Sequence, residues 1–379
     1  MTIRLSTSFW VGVTLIMLVV NLPEYSQSSV EGRCDNCHTM HNSQSGSPVV
    51  ASGPLEVLLN QSCISCHTGT NTGIANLTPY VYDTAAGAPI YPEADAGTTG
   101  NTLAGGNFYW VNDIGEGTGH NVHGISGTDS RFGITPPGQT SALGAQLECA
   151  GANGCHGALG ETIPIRSMKE THHHNVKTEW KDGTAVAKSY RFLSGIQGFG
   201  DSRYEYQPTN LRHNKYWGKD RANETDEAIL LAEDGGTISS QCARCHGDYH
   251  NGNNTIAPTP IQQTGAGNNL NPTGVWIRHP TDFDMSRSLS SSEYTNYNDP
   301  ALTGTNNYSV IAPLAIGGAS NRNTTLNTVI YILNDDAIVM CISCHRAHGT
   351  PYASSLRWNY RAWPTGGYDG CSICHTTKD

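Results

Sequence analysis

Long apolar runs are nearly absent from this sequence. The exception is FWVGVTLIMLVV, residues 9–20, with Arg4 before it and the small residues Ser26 and Ser28 after it. The run is too short to cross a bilayer comfortably and has the form of a secretory signal, so residues 1–28 are expected to be removed on export, leaving 29–379 as one domain. No second apolar segment follows, and no cysteine beside the first offers a lipid anchor. Aliphatic material is also scarce. Only 37% of the residues are hydrophobic, too few for the two or three cores that 379 residues would ordinarily contain. There is no run of basic residues and the formal net charge is -10, which argues against nucleic acid as a partner.

In place of aliphatics there are 42 Gly and 18 Pro, with Asn, Ser and Thr filling long stretches such as residues 69–107 and 252–274. These turn formers read as irregular coats. Two segments break the pattern. ETDEAILLAEDGG has the spacing of one short amphipathic helix, and TTLNTVIYILNDDAIVMC reads as a strand or helix entering the cysteine that ends it.

Cysteine and histidine are abundant, and their arrangement is not random. CxxCH occurs at Cys34, Cys37 and His38; at Cys63, Cys66 and His67; at Cys242, Cys245 and His246; at Cys341, Cys344 and His345; and at Cys371, Cys374 and His375. From 12 Cys and 16 His, random placement would give on the order of 0.02 copies. A stretched sixth copy, CAGANGCH, places Cys149 and Cys155 before His156. All twelve cysteines then fall in pairs, and every pair is followed directly by histidine.

This is the attachment signature of c-type haem: two thiols add to the porphyrin vinyl groups, and the adjacent imidazole binds iron. A disulfide framework has no need of a histidine after each pair, and zinc sites combine CxxC pairs without that constraint. The stretched copy has a spacer of small residues, AGANG, that can fold into a tight loop; a lone disulfide is its competing reading. The expectation is six covalently attached haems whose rings supply the missing apolar surface. The fold class follows: mostly irregular coil with short α-helices and few strands, a multihaem cytochrome c array with the haem stack as its core.

Ten histidines lie outside the motifs: His41, His120, His123, His172, His173, His174, His213, His250, His279 and His348. Six second axial ligands would make every iron bis-histidine, a state that moves electrons and does not readily bind substrate. His41 and His348 stand three residues after His38 and His345, and His250 stands four after His246. So close to the proximal ligand, such a residue lies on that side of its own haem and is better placed to reach another one. No motif ends in Lys, the variant that multihaem reductases carry, so the chain reads as an electron-transfer protein and not an enzyme. A monomeric periplasmic or surface carrier and, behind it, a reductase are the competing functions.

CDNCHTMHNS, GHNV at 119–122, CARCHGDYHN, RHP at 278–280, CISCHRAHG and the terminal CSICHTTKD resemble the hexahaem c-type cytochromes of the extracellular cytochrome filament, or nanowire, family of metal-reducing bacteria. The resemblance implies an exported, extracellular or cell-surface protein that polymerises with copies of itself and passes electrons to other cytochromes or extracellular acceptors. It further implies that His41 ligates a haem of the adjacent protomer, and that His120, His250, His279 and His348 are distal ligands. Members of the family carry a regular third motif closely followed by a histidine. Here the ligand for the third haem is expected from His172, His173 or His174, with His173 preferred over His172.

Overall fold

The computed structural model describes residues 33–73, 78–85, 87, 89–92, 100–137, 141–174, 179–209, 211–219, 236–246, 281–285, 297, 308–317, 337–359 and 370–375. The expected signal segment, the amphipathic stretch at 224–235, His250 and His279 lie outside these residues.

No helix among the described residues exceeds two turns. The helices are α1 (Cys63–His67), α2 (Tyr109–Asp113), α3 (Pro164–Ser167), α4 (Thr171–His174), α5 (Ile238–Ala243) and α6 (Cys341–Cys344). Local chemistry starts several of them. Ser62 and Thr237 cap α1 and α5 by accepting from the N–H groups of Ser65 and Ser240. Pro164, which has no N–H to leave unpaired, opens α3. The Ser343 hydroxyl accepts from the Met340 N–H at the head of α6 and donates to the Pro313 carbonyl at 2.6 Å. Three helices contain cysteines of a motif, so capping a helix here also fixes an attachment point.

Strands are as short. The hairpin of β1 (Ser43–Gln44) and β2 (Ser47–Pro48) follows the first motif, and the parallel pair β3 (Glu148–Ala150) and β4 (Gly154–His156) contains the third. A five-stranded mixed sheet joins β5 (Gly198–Phe199), β6 (Lys215–Trp217), β7 (Phe283–Asp284), β8 (Ala315–Ile316) and β9 (Ile338–Val339) in the order β5-β6-β8-β9-β7. The β6–β8 pair is parallel and the others antiparallel. β9 is the described part of the apolar segment entering the fifth motif.

The apolar residues, few as they are, collect where the motifs meet. Phe108, Val111, Val122 and Ile125 pack with Ile64 and Cys149, between the second and third motifs. Tyr190, Leu193, Ile196, Tyr216 and Ile338 pack with Cys155 and Ile342, between the third and fifth. Met285, Tyr297, Tyr308, Leu314, Trp358 and Ile373 pack with Cys344 and Cys374, between the fifth and sixth. Burial of such side chains gives roughly 1.5–3 kcal/mol each, and here it holds the motifs against one another.

Candidate haem sites

Each motif touches the next one along the chain. The Asn60 N–H, just before the second motif, donates to the Cys37 carbonyl at 2.8 Å. Ile64 and Cys149 share a cluster. The Gln241 amide donates to the Cys155 carbonyl at 3.0 Å, the Cys242 and Cys341 thiols are hydrogen-bonded, and Cys344 and Cys374 pack in one cluster. Motifs adjacent in the chain are thus neighbours in space, and the third also meets the fifth, where Cys155 and Ile342 pack against one cluster.

Five of the six proximal histidines have a common setting. Nδ1–H of His38 donates to the Val57 carbonyl (3.0 Å), that of His67 to Pro79 (2.8 Å), that of His156 to Arg191 (2.8 Å), that of His246 to Pro137 (2.6 Å) and that of His345 to Ser354 (2.8 Å). A carbonyl can only accept, so the proton sits on Nδ1 and the Nε2 lone pair is left for a metal. His120 is held in the same way by the Ala347 carbonyl at 2.6 Å.

Four proximal rings face a second histidine. The ring centres are 6.1 Å apart for His38 and His173, 6.4 Å for His67 and His172, 6.4 Å for His156 and His348, and 6.1 Å for His246 and His120. With a metal–nitrogen bond of about 2 Å, an imidazole centre lies about 3.1 Å from the metal, so two imidazoles on opposite sides of one ion stand about 6.3 Å apart. The four pairs have that spacing, and the residues fit axial ligation of haem iron. Among the described residues no three His, Cys, Asp or Glu side chains form a metal-binding group, as a zinc centre would require.

The local structure explains the pairing. His172 and His173 are consecutive on α4, where side chains diverge by about 100°, so one faces the second motif and the other the first. His120 and His348 are held by a zipped pair of segments. His348 N–H donates to Gly105 (2.7 Å), Asn107 N–H to Gly349 (3.0 Å) and Thr350 N–H to Thr118 (3.0 Å). The segments approach so closely that a Cβ on Gly105 would stand 2.7 Å from His348 Nδ1.

These positions differ from the expectation for the third motif. The ring facing His156 is His348, whereas His172 and His173 both face other motifs. No helix continues from His38 to His41, which lies exposed in a bend. His123 is also exposed, and His213 is fully buried with its ring stacked on Tyr308 at 3.7 Å.

The stretched motif reaches its geometry by a different route. Glu148 pairs with Gly154 and Ala150 with His156, which sets Cys149 opposite Cys155 across a parallel ladder. Neighbouring strands lie about 4.8 Å apart, close to the spacing of residues three apart on a helix. The ladder so replaces the helical turn of the regular motifs. Gly151 (φ +86°) turns the loop where a Cβ would meet the Glu161 carbonyl at 2.6 Å, and a Cβ on Gly154 would meet the Ala150 backbone at 2.5 Å.

Electrostatics favour neutral groups. Desolvation lowers the pKa values of His67 and His156 and takes His348 to about 3; desolvation and then the charges of His67, His173 and His156 take His172 to about 4. Burial pushes the Cys149 thiol up to about 12 and those of Cys155 and Cys344 to about 11. All twelve cysteines are free, and apolar surroundings of this kind suit a thioether, which carries no charge.

A family described as the doubled CXXCH motif matches residues 335–379, the fifth and sixth motifs. C-type cytochrome OmcS of Geobacter sulfurreducens is 26% identical over 377 residues, spanning 86% of this chain and 78% of that protein. Two structures from the same organism, described as Outer Membrane Cytochrome S Filament and as OmcS nanowires, match with TM-scores of 0.47 and 0.45 at 20% identity, each over 88% of this chain and 85% of the other. The chain thus carries repeated attachment motifs of the c-type haem kind and is similar over most of its length to the cytochrome OmcS.

Proposed function

We propose that the mature chain, residues 29–379, is a single-domain extracellular cytochrome carrying six haems, and that it polymerises into a filament that conducts electrons. The observation that carries this reading is the succession of six motifs, the first beside the exposed His41. The relatives described as filament and nanowire support self-assembly.

In this reading the twelve cysteines hold the haems covalently. His38 with His173, His67 with His172, His156 with His348 and His246 with His120 would hold four of the irons between them. His345 and His375 take their second ligands from two of His250, His279 and, across the subunit boundary, His41. Haem iron supplies a centre that alternates between ferrous and ferric states and exchanges single electrons with its neighbours. The chain contributes alignment. Backbone carbonyls fix five proximal imidazoles in the metal-binding tautomer, paired imidazoles would leave no position for a substrate, and the apolar clusters hold the motifs against one another. Other cytochromes or extracellular acceptors would receive the electrons.

Electron microscopy of the haem-loaded protein beside His41→Ala, with visible spectra of both, tests the reading. Filaments for the parent, and monomers with one high-spin haem for the variant, are expected. Monomers with wholly low-spin spectra in both would leave a soluble carrier in place of the filament.

A further inference from the structure

Consecutive non-glycine residues with positive φ are rare because the side chain crowds the backbone, and where they persist the surroundings hold them. Four such pairs occur among the described residues: Val57–Leu58, Arg191–Phe192, Tyr204–Glu205 and Ser354–Ser355. Three of them serve a proximal histidine. The first residue's carbonyl accepts Nδ1–H of His38, His156 or His345. The second residue's carbonyl accepts the N–H of the residue after that histidine: Thr39 to Leu58 at 2.8 Å, Gly157 to Phe192 at 2.8 Å and Arg346 to Ser355 at 2.9 Å. A leucine follows each pair, and Leu59, Leu193 and Leu356 form bridges to His38, Gly157 and His345. The clip thus recurs at the first, third and fifth motifs, in EVLL, YRFL and ASSL. At the second and fourth motifs the acceptor is a proline carbonyl, Pro79 or Pro137.

Side-chain packing does not account for the first and third of these turns, since Val57 is 64% exposed and Ser354 is exposed as well, whereas Arg191 also donates to the Asp201 carbonyl and to Asn214 Oδ1. Turns of this hand ordinarily use Gly, Asn or Asp, yet a β-branched valine occupies the first one. What the three clips share is the histidine they grip.

We infer that Val57, Arg191 and Ser354 are positioning residues whose left-handed backbone fixes the orientation and donor strength of the proximal imidazole at the first, third and fifth haems. The inference rests on the haem reading given above. A carbonyl that accepts a hydrogen bond from Nδ1–H makes the imidazole a stronger donor at Nε2, which favours the ferric state and lowers the potential.

The test compares Ser354→Gly, Ser354→Pro and Val57→Gly in the full haem-loaded protein by mass, redox titration and electron paramagnetic resonance. Glycine accepts positive φ freely, so both glycine variants keep every potential and resonance while their melting temperature rises. Proline cannot reach positive φ, so Ser354→Pro keeps its haem count but shows one midpoint moved to higher potential and one altered low-spin signal. Unmoved potentials in Ser354→Pro overturn the inference, as does an equal shift in Ser354→Gly, which would assign the effect to the side chain. If Ser354→Pro fails to load haem, Val57→Gly decides: a lower melting temperature or a moved potential overturns it. A parent protein without six haems by mass would instead overturn the reading on which the inference rests.

Discussion

His156 and His348 face each other with ring centres 6.4 Å apart, although one closes the third motif and the other follows the fifth. Through this pair a residue late in the chain completes a site in its middle, so the two halves must fold together before the site exists. Removing the imidazole in His348→Ala is expected to leave one haem five-coordinate. A high-spin band in the ferric spectrum and carbon monoxide binding by one reduced haem per chain would report it; a fully low-spin spectrum would contradict the pairing.

His172 and His173 give a sharper contrast. Because they face the second and first motifs respectively, His172→Ala and His173→Ala should each create one high-spin haem, and the double variant two. Resonance signals lost in the singles should differ, and their sum should match the double. Identical losses would mean that one haem, not two, depends on α4.

Gly154 holds the parallel ladder that sets Cys149 opposite Cys155. A Cβ there meets the Ala150 backbone at 2.5 Å, so Gly154→Ala should separate the cysteines. The mass of the exported chain is then expected to fall by one haem, as in Cys149→Ala, while an alanine at the exposed Gly127, where a Cβ meets nothing within 4 Å, leaves it unchanged. Full loading of Gly154→Ala would show that the ladder is dispensable.

Acid should weaken the fold before it touches most carboxylates. His67, His156, His172 and His348 all have pKa values lowered from 6.5, the last two to about 4 and about 3. Each binds fewer protons folded than unfolded, so the stability it contributes is complete above pH 6.5 and is lost as pH falls toward 4 and 3. Urea midpoints measured from pH 7 down to pH 4 should decline steadily. A flat profile would show that these imidazoles are protonated alike in both states.

The motifs, their number and the supply of spare histidines were legible in the sequence because covalent attachment demands a contiguous pattern. The shortness of every element followed from the glycine, proline and asparagine content. The partner of His156 was not legible: local order pointed to the THHH run, while the match depends on contacts between segments around 105–120 and 347–350 that no spacing rule encodes. The left-handed pairs were equally hidden, since Val57, Arg191 and Ser354 are not residues that announce a turn. The small spacer AGANG did signal a tight loop, but its parallel pairing appears only when β3 and β4 are seen side by side.

The run of contacts from each motif to the next has a consequence for failure. Carriers joined by single contacts would stand in series: their resistances add and the slowest exchange sets the current. The cluster that Cys155 and Ile342 share gives a route around the fourth motif alone, so loss at the second should cost far more conduction than loss at the fourth.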